Sequence, residues 1–319
     1  MLLKFKYNFF IITLFVFFIS LQNEIMGVEL NKGANFRDCE DCPMMTVIAP
    51  GSFIMGSNKT ERMRGNEIRP EGPIRKMTIS KYFAVGTFEI TNLEWGLFID
   101  DTGYSPTNSC EVWGAKGSVD GYNWKNPGLD SLPKDNEPVV CITWKDAKAY
   151  VSWLAQFTGH KYRLLTEAEW EYVAKAGSDE MWPWGEDVNE ICKYGNVFDI
   201  TGTTEKRSAT NDNAAAKSVD CDDGFKHVAS IGSFLPNAFG LYDTIGNVWE
   251  WTEDCSVKFY DESITDETAF QVSGECKKRS VRSGSWRTRI SRHRTSFRGR
   301  DPEDIAYHHF GLRVARDLQ

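Results

Sequence analysis

The chain has 319 residues, 41% hydrophobic and 13% aromatic, with 11 Trp and 20 Phe, so apolar area for a sizeable core is not limiting. A net charge of −8 argues against nucleic acid as a general partner, because phosphate binding draws on an excess of Lys and Arg. No low-complexity linker, charge block or internal repeat divides the chain, which favours one domain.

Lys4 and Lys6 precede an apolar run from Phe9 to Leu21, and polar Gln22, Asn23 and Glu24 follow it, the layout of a secretory signal peptide over residues 1–27. The run falls short of the ~20 apolar residues that a membrane-crossing helix needs, so no stable membrane span is expected and the product would be secreted or periplasmic. Residues 28–44 read as an N-terminal arm and residues 45–319 as the folded domain.

All 8 cysteines lie beyond the leader, and an even number in an exported chain favours disulfides over free thiols. Pairing of neighbours, Cys110 with Cys141, Cys192 with Cys221 and Cys255 with Cys276, closes one loop-rich excursion each and is the simplest of the ~105 possible connectivities. Cys39-Glu-Asp-Cys42 has the CxxC form of a redox or zinc motif. It sits in an extended arm, not at a helix start that would stabilise a thiolate, so a structural bridge is expected.

Along the domain, Val47 to Gly56 reads as a strand, a Pro-Gly turn and a second strand, and Lys76 to Val85 as a further strand. Three helix starts share one device, a Thr followed three residues later by an acid: Thr91 with Glu94, Thr143 with Asp146, and Thr166 with Glu169. After the second, Ala147, Tyr150, Val151 and Leu154 fall on one helical face. Beyond Gly177 neither helical nor strand periodicity persists, and loop-rich structure held by bridges and ions is expected.

Four stretches are specific: Tyr162-Arg-Leu-Leu-Thr-Glu-Ala-Glu-Trp-Glu-Tyr172, Trp182-Pro-Trp-Gly185, Asn237 to Trp251, and Arg282-Ser-Gly-Ser-Trp286 with the terminal Gly311-Leu-Arg-Val-Ala-Arg316. In this order the chain closely resembles the sulfatase-modifying factor family, which includes the formylglycine-generating enzyme, from about Met45 to Arg316. The resemblance implies a single α+β domain of the formylglycine-generating-enzyme type, related to C-type lectins, loop-rich, with short helices and irregular antiparallel sheet.

In Asp243-Thr-Ile-Gly-Asn-Val-Trp-Glu250 two carboxylates bracket a tight Gly-Asn turn, so side-chain and carbonyl oxygens can converge on a hard cation. The family places calcium at this motif, and the matching ligands are Asp243, Glu250 and the carbonyls of Gly246 and Val248. A second family site maps onto Asn196, Val197, Asp223 and Phe225. The plainer reading is that Asp243 and Glu250 only cap and hydrogen-bond the turn.

The family's oxidase binds copper(I) through two cysteines after a Gly-Gly-Ser-aromatic motif and converts a substrate cysteine to formylglycine with dioxygen. Here Thr288 and His293 match those two positions, so a soft two-sulfur site is not expected in this segment, and copper is not expected as a cofactor. Whether the chain is an enzyme is left open.

The resemblance implies a substrate groove at Trp249, Ser285 and Trp286, with His309 where the family has asparagine. His293 and His309 are candidates for another metal site or ordinary polar residues. The seven arginines 282, 287, 289, 292, 294, 298 and 300, in a stretch without an acid, either face an anionic ligand or pair with acids elsewhere. Three classes of function follow: a formylglycine-generating oxidoreductase, an enzyme of altered chemistry, or a calcium-dependent lectin-like module for a peptide, a glycan or an envelope protein.

Overall fold

The structure is a computed structural model that describes residues 31–62, 67–112, 114–203 and 218–318. The signal-peptide reading lies outside the described residues. Among these, no helix is long and apolar enough to cross a membrane.

All three Thr-led signals open helices: α1 (Asn92–Thr102), α2 (Trp144–Thr158) and α3 (Glu167–Lys175). In each the Thr side chain accepts from the amide three residues on and the acid there returns a bond to the Thr amide, so two otherwise orphaned donors are satisfied. Gly103 and Gly159, both in the left-handed region, stop α1 and α2. α2 buries Ala147, Tyr150, Val151 and Leu154, the face its spacing predicts.

α3 departs from an amphipathic pattern, because all nine of its residues are buried although four of them, Glu167, Glu169, Glu171 and Lys175, are charged. Its acids reach guanidinium partners: Glu169 meets Arg163 at 2.6 Å, Glu171 meets Arg282 at 2.7 Å and Glu167 meets Arg298 at 2.8 Å. Lys175 donates to the Ile54 carbonyl at 2.7 Å. Buried charge of this kind is tolerable only when it is paired.

Two sheets frame the domain. The five-stranded sheet runs in the order Asn35–Phe36, Met45–Ile48, Phe83–Gly86, Val314–Asp317, Tyr162–Leu164, antiparallel throughout. Both faces are covered: Val314 joins the core with Trp95, Phe98 and Tyr150 of α1 and α2, and the next residue, Ala315, joins the one with Trp170 and Val173 of α3. The four-stranded sheet orders Gly299–Asp301, Arg279–Arg282, Trp249–Cys255 and Phe310–Leu312, its last pair parallel.

Two expectations change. The strand foreseen from Lys76 to Val85 is two strands, Arg75–Ile79 paired with Gly51–Met55, and Phe83–Gly86 in the large sheet; the chain switches sheets where the Ser80 amide donates to Glu267. The region after Gly177 is loop-rich yet carries the whole four-stranded sheet. Its strands are short and mostly buried on both faces, so they lack the alternation that marks a half-exposed strand.

Four disulfides, Cys39–Cys42, Cys110–Cys141, Cys192–Cys221 and Cys255–Cys276, take up every cysteine. The Thr143 cap gives a test of the local account. Thr143→Ala removes the bond from the Asp146 amide, and the urea midpoint should fall by the equivalent of about 1 kcal/mol at unchanged m. An unchanged midpoint would contradict the role given to the cap.

Candidate functional site

The site is built around the turn that leads into the strand Trp249–Cys255. Asp243, Gly246 and Asn247 have φ of 56°, 85° and 52°, three left-handed residues in five. Gly246 is required: a Cβ there would lie 2.1 Å from the Asn196 carbonyl oxygen. The Asn247 amide donates to that same oxygen at 2.8 Å, and the Asn247 side chain accepts from Ala229 and donates to Glu89.

Glu89, Asp243 and Glu250 are all fully buried here, against one buried guanidinium, Arg313. Arg313 donates to Glu250 at 2.8 and 3.0 Å and to the carbonyls of Gly86 and Tyr242, both at 2.9 Å. Trp170 Nε1 donates to the other Glu250 oxygen at 2.6 Å. Burial, then Asp243 and Glu250, push Glu89 well above the usual carboxylate range. Burial raises Asp243 to about 6, opposed by the Gly232 amide and Arg313.

These observations test the fit of a hard cation. Asp243 Oδ1 is buried without a partner, and one guanidinium leaves the acid cluster short of positive charge, both of which suit calcium. Glu250, by contrast, already has both oxygens engaged by Arg313 and Trp170. Glu89 was not among the residues singled out from the sequence. It lies just before the α1 cap, and no motif marks it.

The second set also offers part of what a cation needs, although both Asp223 oxygens already accept backbone amides. Asn196 Oδ1 is buried without a partner. Asp223 accepts from the Val197 amide at 2.8 Å and the Phe225 amide at 2.9 Å, which brings three of the four expected residues together, while the Asn196 side chain donates to the His227 carbonyl and Asn247. Asp199 joins them, accepting from the Asp223 amide at 2.8 Å. Burial raises the Asp223 carboxyl to about 7, with Asp199 and Asp222 adding to the effect. Asp199 and Asp223 also cluster with Cys192, whose sulfur is bonded to Cys221 and is no thiolate ligand.

Thr288 and His293 are both buried. Thr288 Oγ1 accepts from Trp249 Nε1 and from the Ser285 amide, each at 3.1 Å, and lies 2.8 Å from Ser285 Oγ. The His293 ring packs against Gly284, where a Cβ would come 2.7 Å from Cδ2, and its Nδ1 lies 3.2 Å from the Arg289 carbonyl. Burial holds His293 down at about 4, the backbone at Arg289 and Ser285 opposing, so the ring is neutral at pH 7.

Beside this cluster opens a cleft of about 270 Å³ lined by Trp249, His309, Phe310, Tyr307, Asp301, Glu111 and the guanidinium-bearing Arg69, Arg287 and Arg292. Of the four groove residues expected from the sequence, Trp249 and His309 line the cleft. Ser285 and Trp286 are buried, Trp286 against His227 and His308. Burial, then Arg287 and His308, lower His309 well below the usual imidazole value.

The arginine run is mostly architectural. Arg282 and Arg298 serve the acids of α3, Arg294 pairs with buried Glu71, Arg289 and Arg292 with Glu61, and Arg300 with Glu67. Arg287 meets His308 Nε2 at 2.7 Å.

A two-sheet α+β domain that holds an oxygen-rich turn next to a Trp-lined cleft defines the class, and comparison with known proteins gives the family. The model of the sulfatase-modifying factor enzyme 1-like domain matches residues 31–318, and the chain belongs to that family. It is 29% identical to the formylglycine-generating enzyme of Mus musculus over 310 residues, 86% of this chain and 75% of the relative. To the inactive C-alpha-formylglycine-generating enzyme 2 of Bos taurus it is 30% identical over 240 residues, 65% of this chain and 69% of the relative. The solved structure of PvdO from Pseudomonas aeruginosa superposes with a TM-score of 0.73 at 29% identity, over 90% of this chain and 99% of that one.

His293 makes a pH prediction. Its value falls from 6.5 to about 4 on folding, so the folded state binds fewer protons across that window, and the stability it contributes at neutral pH is lost as pH falls through it. Between pH 7 and pH 5 the parent should lose about 2 kcal/mol more stability than His293→Gln in urea titrations. Equal losses would show that the ring is not held neutral by burial.

Proposed function

We propose that this protein is an exported member of the family that does not oxidise cysteine through a copper–thiolate pair, and that it uses the cleft at Trp249 and His309 to hold a peptide or other ligand on a calcium-stabilised scaffold. The observation that carries the reading is that all eight cysteines are joined in disulfides while Thr288 and His293 occupy the positions matched to the oxidase's cysteines. Copper(I) prefers soft sulfur donors, and a hydroxyl with a neutral imidazole is a poor substitute. The likeness to a relative that is itself named inactive agrees with this.

The cleft has the makings of a ligand site. Trp249 and Phe310 supply apolar wall, and the Tyr307 hydroxyl, hydrogen-bonded to Asp301, supplies a polar edge. Calcium is favoured at Asn196, Val197, Asp223 and Phe225, with Asp199 beside them, ahead of the Asp243, Gly246, Val248 and Glu250 set, whose Glu250 is engaged by Arg313. Bound there, the ion would neutralise buried carboxylates and brace the turn that carries Trp249.

Incubated with copper(I), dioxygen and a Cys-x-Pro-x-Arg peptide, the protein should leave the peptide mass unchanged. Formation of the aldehyde product would overturn the proposal. For calcium, chelation should lower the melting temperature and re-addition restore it, by about 3 kcal/mol at a concentration near 100 times Kd. Asp223→Asn should abolish most of that response. Identical melting of the parent with and without calcium would remove the ion from the account.

A further inference from the structure

Away from the cleft, a groove of about 460 Å³ lies between the Cys39–Cys42 loop, α1 and α2. Its walls are aromatic and aliphatic: Tyr150, Trp153, Leu154 and Phe157 on α2, and Leu97 on α1. Trp153 and Phe157 stack at 5.3 Å with an interplanar angle of 27°, and Tyr150 packs on Trp153 at 5.5 Å. Phe157 is 55% exposed, which is unusual for a ring held in a stack on a helix that otherwise buries its apolar face.

The rim is acidic. Glu40, Asp41, Asp100 and Asp101 are exposed around the opening and Glu94 lies deeper, while none of the lining residues is Lys or Arg. Arg37, whose charge reaches Glu94, is turned to the Cys42 carbonyl. Asp101 also accepts from Trp153 Nε1 at 2.7 Å, which fixes the indole plane.

A second feature is independent of the charge. The Tyr150 side chain is fully buried, forms part of the groove lining, and its hydroxyl has no hydrogen-bond partner. The ring packs on Trp95, Phe98 and Trp153, so Tyr150 forms the closed floor beneath the groove and holds Trp153 in place above it. Burial, then Glu94 and Tyr162, raise its pKa, which keeps the hydroxyl protonated.

We propose that this groove binds a small organic cation, an amine with an apolar or aromatic body. The aromatic wall accepts the body and, through the ring faces, part of the positive charge. The carboxylate rim attracts the ammonium. The volume is that of a small-molecule site, which favours a compact ligand over a folded partner.

Isothermal titration of the full chain with phenethylammonium, and in parallel with its neutral isostere 2-phenylethanol, tests the proposal. The ammonium should bind saturably and the alcohol about tenfold more weakly. Trp153→Ala should abolish binding of both. Because that change also removes packing on α2, the rim variant D41N/D100N provides a test that leaves the core intact: it should weaken the ammonium severalfold, approach the alcohol's affinity, and melt like the parent. Equal binding of ammonium and alcohol, absence of saturable binding, or an unaltered affinity in D41N/D100N would overturn the proposal. So would a basic peptide that binds in a Trp153-dependent manner where phenethylammonium does not.

Discussion

The buried pair of Glu250 and Arg313 joins the two sheets. Arg313 stands between the strands Phe310–Leu312 and Val314–Asp317, where the chain passes from the four-stranded to the five-stranded sheet. Its guanidinium holds Gly86 of one sheet and Glu250 of the other, and Trp170 of α3 reaches the same carboxylate. Removing one partner of such a pair costs about 3–5 kcal/mol, because the remaining charge stays buried. The strand that carries Trp249 is anchored at this junction, since Glu250 is the residue that follows it.

Charge is the means by which this domain organises much of its interior. α3 is buried on every side because its acids meet Arg163, Arg282 and Arg298, and Arg294 is drawn in by Glu71. The same habit leaves an acidic remainder near Glu89, Asp243 and Asp223, where burial raises the carboxyls. A hard dication bound there, as proposed, would offset that repulsion, which links the calcium proposal to the electrostatics of the core. Cysteine sulfur is used differently: every thiol is placed in a cross-link, and the positions next to Trp249 carry oxygen and nitrogen.

Much of this was legible in the residues. The Thr-led capping boxes are local chemistry and open helices at all three places, and neighbouring cysteines bridge because each pair closes one excursion. The family could be named from contiguous motifs. The late sheet was not legible, since strands buried on both faces carry no period-two signal, and neither was Glu89, which acts through residues more than 150 positions away. Burial was not legible in the motif either: Ser285 and Trp286 belong to a recognisable stretch and are buried, while Trp249 and His309 line the cleft. The arginine run could not be divided between ligand and architecture until its acidic partners, far away in sequence, were located.

With every cysteine in a disulfide, no thiol pair is left to hold a soft metal ion beside Trp249. The most direct measurement is a count of free thiols: alkylate the native-purified protein in denaturant without reductant and read the intact mass. No alkylated cysteine is expected before reduction and all 8 after it. Two alkylated cysteines before reduction, in protein that bound copper(I) when folded, would contradict it.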